Sequence, residues 1–170
     1  MTAFDRAWAL IKMPLVRDSI EYGEPDSTGF PTATATFQHP DDPNVQYDME
    51  AYEDQGGTKM RVYEPPTGMW DRVEAGSGYF QTGHDPNPDD TITSDINTHE
   101  SHRRLGIATA MYDLINEMSK TKGTRVSSTP SKLSHENAHL WRKALRRSRG
   151  FGFKNNSNEQ IMWPEKGVYE

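Results

Sequence analysis

Hydrophobic and polar positions alternate with period two in much of the first half of the chain and follow a helical period in the second. Thr32 to Gln38 is threonine-rich and carries Phe37 near its end, which reads as a strand. Val45 to Tyr52 sets Val45, Tyr47, Met49 and Ala51 against polar neighbours, and Lys59 to Tyr63 alternates Met60 and Val62 the same way. Asp54-Gln55-Gly56-Gly57 between them predicts a hairpin. His39 to Asn44 reads as a turn and Glu21 to Pro31 as a loop. Before them, Phe4 to Lys12 puts Phe4, Ala7, Trp8 and Ile11 on one helical face, and Pro14 interrupts the pattern. Pro65 to Thr91 reads as irregular, with apolar islands at Met69-Trp70 and Tyr79-Phe80 and a breaker at Asp85 to Asp90.

Ile92 to Thr98 then reads as a strand. Gly106 to Lys122 is the clearest helix: Ile107, Met111, Leu114 and Met118 share one face, with Ala108 and Ile115 beside them, and Gly123 ends it. Arg125 to Thr129 predicts a short strand. Ser134 to Arg149 predicts a second helix, with Ser134 as N-cap, Glu136 in the first turn, and Ala138, Trp141 and Leu145 as its buried stripe. Gln160 to Trp163 suggests a last short strand. Strands first, then strand–helix–strand–helix–strand, predict a mixed α/β layer in one domain spanning residues 1–170.

The composition narrows the chemistry. There is no cysteine, which removes disulfides, thiolate metal sites and cysteine acyl-enzymes and fits a reducing compartment. No apolar run reaches membrane-spanning length, and Met1 to Leu10 has no signal-peptide core. The expectation is a cytoplasmic protein without a membrane partner. The net charge of −6 hides an asymmetry. Met1 to Thr98 carries 6 Lys and Arg against 18 Asp and Glu, a net −12, whereas His99 to Glu170 carries 13 against 7, a net +6. A basic half suits an anionic ligand and an acidic half a cationic one; a solvated surface of uneven charge is the plainer alternative.

The stretch Arg103-Arg104-Leu105-Gly106-Ile107-Ala108, at the entry to the clearest helix, has the form Arg-x-x-Gly-x-Ala. The first turn of a helix offers backbone N–H groups without partners, and the helix dipole adds positive potential there. Glycine lets a phosphate approach the backbone. This predicts a pyrophosphate cradle.

Strand, Arg-x-x-Gly-x-Ala, long helix, short strand, then the helix Leu133 to Trp141 with Asn137 and Ala138, followed by Gly150-Phe151, resembles the GNAT family of N-acetyltransferases. The resemblance covers about Ile92 to Phe153. It implies a mixed, mostly antiparallel central sheet flanked by helices, with a splayed strand pair that binds acetyl-coenzyme A. On that resemblance, Arg103, Arg104, Leu105, Gly106, Ile107 and Ala108 would bind the pyrophosphate, with Thr109 in the same turn. Ile96, Asn97 and Thr98 would pair with the pantetheine arm and the acetyl carbonyl, and Asn137 would sit near that arm. The strand at Ile92 to Thr98 would splay from Arg125 to Thr129, with the thioester in the gap. The reaction would be direct, ternary-complex transfer to an amine, which must first lose a proton. Asp95, ahead of Glu100, is the candidate base; a solvent-facing strand residue is the alternative for Asp95.

One departure bears on mechanism. Many family members carry a tyrosine on the last helix as proton donor to the leaving thiolate, and here Trp141 stands in that place. An indole N–H is a poor acid, and Trp141 reads as core. Tyr112, on the cofactor helix, is not an obvious substitute. Two readings follow: an acetyltransferase acting on a small-molecule or protein amine, or a non-catalytic member of the fold that keeps coenzyme A binding. A homodimer is compatible with either.

Other candidates carry less. His99-Glu100-Ser101-His102 lacks a third metal ligand nearby, so no metal is expected. Gly76-Ser77-Gly78 lacks the helix of a dinucleotide fingerprint. Arg142, Lys143, Arg146, Arg147 and Arg149 lack interleaved aromatics in an acidic chain, which disfavours nucleic acid. Tyr79 and Phe80 are candidates for lining the acceptor side. The opening Phe4 to Pro14 also resembles that of some virus-encoded proteins, a hint about origin only.

Overall fold

The alternating segments of the first half pair in sequence order into one sheet, and the helical segments follow. The computed structural model describes residues 15–24, 29–39, 41–54, 56–68, 72–82, 91–103, 105–124, 126–128, 134–149 and 161–163. The strands are β1 (Leu15–Tyr22), β2 (Ala33–His39), β3 (Asp42–Glu53), β4 (Gly57–Tyr63), β5 (Glu74–Thr82), β6 (Thr91–Thr98), β7 (Val126–Ser128) and β8 (Ile161–Met162). The helices are α1 (Ile107–Thr121) and α2 (His135–Arg149), and a 3-10 turn covers Glu100–His102. Each strand pairs with its sequence neighbours. β1 to β6 run antiparallel, β7 joins β6 in parallel, and β8 returns antiparallel to β7. No helix among the described residues is long and apolar enough to cross a membrane.

The ladder register sorts the side chains onto two faces. The pairs Ala33↔Ala51, Ala35↔Met49 and Phe37↔Tyr47 continue into Met49↔Val62 and Ala51↔Met60, then into Met60↔Gly78 and Val62↔Gly76. All the larger members of this set are buried, on the face where Ile107 and Met111 of α1 meet Gly76 and Gly78. The other face carries Thr34, Thr36, Asp48, Glu50, Tyr52, Lys59, Arg61 and Tyr63, half-buried or exposed. This is the in–out alternation expected of an antiparallel sheet with one covered face.

Two strands depart from the sequence reading. β1 occupies the stretch between Pro14 and the predicted loop. Its ladder with β2 slips between Val16 and Glu21, which breaks the period-two pattern. Ser19 fills part of the gap: its Oγ accepts the Thr36 N–H at 2.8 Å. β5 occupies part of the stretch expected to be irregular, because Gly76 and Gly78 read as loop residues. Here they are a seat for α1. A Cβ on Gly76 would stand 3.2 Å from Ile107 Cγ2, and one on Gly78 would stand 3.1 Å from Met111 Sδ. Glycine in a strand marks such close approaches. The turn expected at His39 to Asn44 is also tighter, since β3 starts at Asp42 and pairs it with His39.

α1 is buried more completely than one amphipathic stripe predicts. Beyond Ile107, Met111, Leu114 and Met118, the fold also buries Thr109, Tyr112, Asp113, Ile115 and Asn116. For Tyr112 and Asp113 the reason is a second layer. Tyr112 stacks on Trp163 with ring centroids 4.5 Å apart and meets Trp141 edge-on at 5.3 Å. Trp163 Nε1 donates to Asp113 Oδ1 at 2.9 Å, which partners a carboxylate that burial would otherwise penalise. Each large apolar side chain so buried is worth about 1.5–3 kcal/mol. Gly123, at φ 71°, ends the helix as expected. Ser134 caps α2, its Oγ accepting the Asn137 N–H at 3.2 Å. The helix expected at Phe4 to Lys12, the Met69-Trp70 island, the Asp85 to Asp90 breaker, Gly150 and the Leu145 side chain lie outside the described residues.

The glycines give a stability test. A Cβ on Gly57 would lie 2.2 Å from the Phe80 carbonyl oxygen and 2.9 Å from Gln81 Cα, both backbone atoms, whereas one on Gly78 meets mainly the Met111 thioether and the Phe80 ring. Gly57→Ala is therefore expected to cost about 1–3 kcal/mol and Gly78→Ala clearly less, because a methionine side chain can move. Urea unfolding of both variants checks the order, and equal losses would contradict it.

Candidate functional site

The predicted anion loop lies where β6 ends and α1 begins. His99 N–H donates to Ala75 O at 2.9 Å, and the 3-10 turn follows. Leu105 is half-buried and packs against the core. Gly106 is the N-cap of α1 at φ 88° and ψ 10°, in the left-handed region. A side chain at that φ costs about 1–2 kcal/mol, which accounts for glycine here. Ile107 drops its side chain into the core above Gly76, Thr109 is also buried, and Ala108 is half-buried. Intrahelical bonding into Gly106 begins with Ala110 N–H, at 2.9 Å. The N–H groups of Ile107, Ala108 and Thr109 thus precede the helical ladder. Arg103 is exposed and reaches back to Thr98 O at 3.4 Å through Nε. Arg104 lies outside the described residues.

β6 brings the other predicted residues to the same end of the sheet. Asp95, Ile96, Asn97 and Thr98 pair with Tyr79, Gly78, Ser77 and Gly76 of β5. Ile96 and Thr98 face α1 and are half-buried; Asp95 and Asn97 are exposed on the opposite face. A bulge lies just before Asp95, because Tyr79 pairs with Asp95 while Phe80 pairs with Thr93. Among the described residues the ladder to β7 comprises only Thr91↔Val126 and Ile92↔Ser127. The two parallel strands are thus joined at the start of β6, and the positions that follow β7 in register with Asp95 to Thr98 lie outside the described residues.

The remaining predicted residues distribute as follows. Glu100 opens the 3-10 turn and is exposed. Asn137 is half-buried in the first turn of α2, and its backbone N–H is used by the Ser134 cap. No described contact joins Asn137 to β6 or to the anion loop. Phe80 is fully buried against Tyr112 and lines no acceptor surface. Tyr79 is half-buried on the opposite face, its hydroxyl 3.4 Å from Asp54 Oδ1. Trp141 is fully buried in the aromatic layer, and its Nε1 has no hydrogen-bond partner among the described residues.

One cluster had no signature in the sequence. His102 turns inward from the 3-10 turn. Its Nε2 lies 2.5 Å from Glu64 Oε1, and its Nδ1 lies 3.2 Å from the Tyr47 hydroxyl. Tyr47 itself is stacked on Phe37 with centroids 5.1 Å apart. The imidazole thus joins the end of β4 to β3, with one ring nitrogen toward each partner. Burial, then the Glu64 charge, push the Tyr47 phenol above its ordinary pKa. His102 was visible as half of His99-Glu100-Ser101-His102, but its partners are 38 and 55 residues away. Among the described residues no three His, Cys, Asp or Glu side chains gather as metal ligands.

No family model, no curated protein and no solved structure matches the chain. The described residues define an α/β protein: an antiparallel sheet extended by one parallel strand, two helices, and a glycine-capped helix N-terminus at the end of β6.

The sheet face away from α1 offers a pH test. Tyr52 Oη donates to Glu50 Oε2 at 2.5 Å, and Arg72 Nη1 donates to Glu50 Oε1 at 2.6 Å while lying 4.0 Å over the Tyr63 ring. Burial, then the hydrogen bond to Glu50, push the Tyr52 phenol up to about 12. The folded state thus prefers the neutral phenol. Its contribution is complete below the ordinary value of 10.0 and is lost as pH rises through about 12. Tyr52→Phe is expected to remove a phenolate step near pH 12 from a spectrophotometric titration and to flatten the loss of stability across that window. An unchanged upper limb would contradict the assignment.

Proposed function

We propose that the chain is an N-acetyltransferase that takes its acetyl group from acetyl-coenzyme A and passes it directly to a primary amine. The observation that carries this reading is the junction of β6 and α1. There a left-handed glycine caps a helix whose first N–H groups precede its ladder, at the end of the strand that carries Asp95 to Thr98. The resemblance to the GNAT family implies such an arrangement. The N–H groups of Ile107, Ala108 and Thr109, with exposed Arg103 beside them, suit a pyrophosphate. On that resemblance, Ile96 to Thr98 would take an extended arm as an added strand. Bound acetyl-coenzyme A supplies an activated thioester. The chain's own part is to orient the amine, to accept its proton at Asp95 or Glu100, and to hold the oxyanion on strand N–H groups. The acidic first half favours a cationic acceptor, small or protein-borne. The lack of cysteine fits a cytoplasmic setting.

A second reading is favoured by Trp141. Its ring is locked between Tyr112 and Trp163, with centroids 5.3 and 5.0 Å away. At that position α2 therefore offers a buried indole and no phenol to protonate a leaving thiolate. This supports a protein that binds coenzyme A without efficient transfer.

Calorimetric titration with acetyl-coenzyme A, followed by a thiol-release assay on a panel of primary amines, separates the two. The acetyltransferase reading expects binding and amine-dependent thiol release, with binding lost in Gly106→Glu. Absence of binding by the wild type, or binding unchanged in Gly106→Glu, would overturn the cofactor assignment. Binding without release on any amine would place the second reading ahead.

A further inference from the structure

The loop between β6 and α1 is anchored firmly at its two ends and by one side chain in between. His99 is tied to Ala75 through its backbone, and Leu105 and Ile107 are tied to the core. Glu100, Ser101 and Arg103 are exposed. His102 alone among the described residues of the 3-10 turn carries its side chain into the protein, where the imidazole is 13% exposed. It reaches two different strands, the middle of β3 and the end of β4. Tyr47 belongs to β3 and Glu64 follows β4, one step beyond the Asp48↔Tyr63 pair. Both partners are themselves held. The Glu64 N–H donates to Val73 O at 2.9 Å, and the Tyr47 ring is sandwiched by Phe37 at 5.1 Å and His39 at 6.4 Å. The His102 ring also meets the Tyr47 ring edge-on at 5.9 Å.

We propose that His102 is a positioning residue for the anion loop: clamped between Glu64 and Tyr47, it holds the Glu100–His102 turn that leads toward Gly106, and so favours the loop shape that presents the first N–H groups of α1 to a phosphate. The inference rests on the proposed use of that loop for the pyrophosphate of coenzyme A. Its physical basis is entropic. Ordering one residue's backbone costs about 1–2 kcal/mol. A loop ordered in advance by a charge-assisted bond and a phenol bond spares the incoming ligand that cost. The clamp touches no ligand atom, so it acts on affinity through loop order and leaves the chemical step alone.

The test uses the full chain as wild type, Tyr47→Phe, His102→Leu and His102→Gln. Gln keeps a donor for Glu64 at similar reach, whereas Leu keeps only bulk. Amide hydrogen exchange of Arg103 to Ala108 is read without ligand, beside the exchange of Leu114 to Met118 in the core of α1. Coenzyme A affinity is then read by calorimetry. His102→Leu is expected to speed exchange in the loop and weaken coenzyme A, each by about tenfold, with α1 core exchange unchanged. His102→Gln is expected to recover most of both, and Tyr47→Phe to lie between. Unchanged loop exchange in His102→Leu would overturn the clamp whether or not the ligand binds. Faster exchange throughout α1 would make His102 a general fold contact and would also overturn it. A wild type that fails to bind coenzyme A, with loop exchange still raised in His102→Leu, would overturn the ligand and leave the clamp standing.

Discussion

Everything at the candidate site hangs on how closely α1 lies against the sheet. Gly76 and Gly78 of β5 leave room for Ile107 and Met111, so the helix settles onto β4 and β5. On its other side Tyr112, Trp141 and Trp163 form a packed aromatic layer, and Asp113 receives the Trp163 N–H. A helix held from both sides has little freedom to slide or tilt. Its N-terminus is then fixed at the end of β6, and Gly106 must take a left-handed turn to connect the two.

That constraint links packing to chemistry. The side chains of Ile107 and Thr109 are committed to the interior, so their backbone N–H groups are what the first turn can offer a ligand. On the far side of β6, Asp95 and Asn97 are exposed while Ile96 and Thr98 face the helix. The same alternation that half-buries Ile96 therefore presents the Asp95 carboxylate to solvent. Position 141 likewise answers to packing: it lies inside the aromatic layer, where a large flat ring meets both Tyr112 and Trp163.

Much of this was legible from one sequence. The spans of α1 and α2, the Ser134 cap, the Gly123 stop and the strands β2, β3, β4, β6 and β7 follow from periodicity and turn chemistry, and the structure places them within a few residues. β1 was hidden because a bulge against β2 destroys its alternation. β5 was hidden because glycine signals a loop unless one knows that a helix will press on it. Phe80 and Tyr79 were grouped as neighbours in sequence, yet a strand sends them to opposite faces. The burial of Tyr112 and Asp113 depends on Trp141 and Trp163, which join the helix only in the fold. His102 looked like half of a histidine pair, while its partners come from β3 and the end of β4.

The most direct measurement is a heteronuclear NMR titration of the protein with coenzyme A, following every backbone amide. A phosphate seated on the first turn of α1 predicts the largest shifts at Gly106, Ile107, Ala108 and Thr109, with a second set at Ile96 to Thr98. Shifts confined to the opposite end of α1, or no shifts at saturating ligand, would contradict the site.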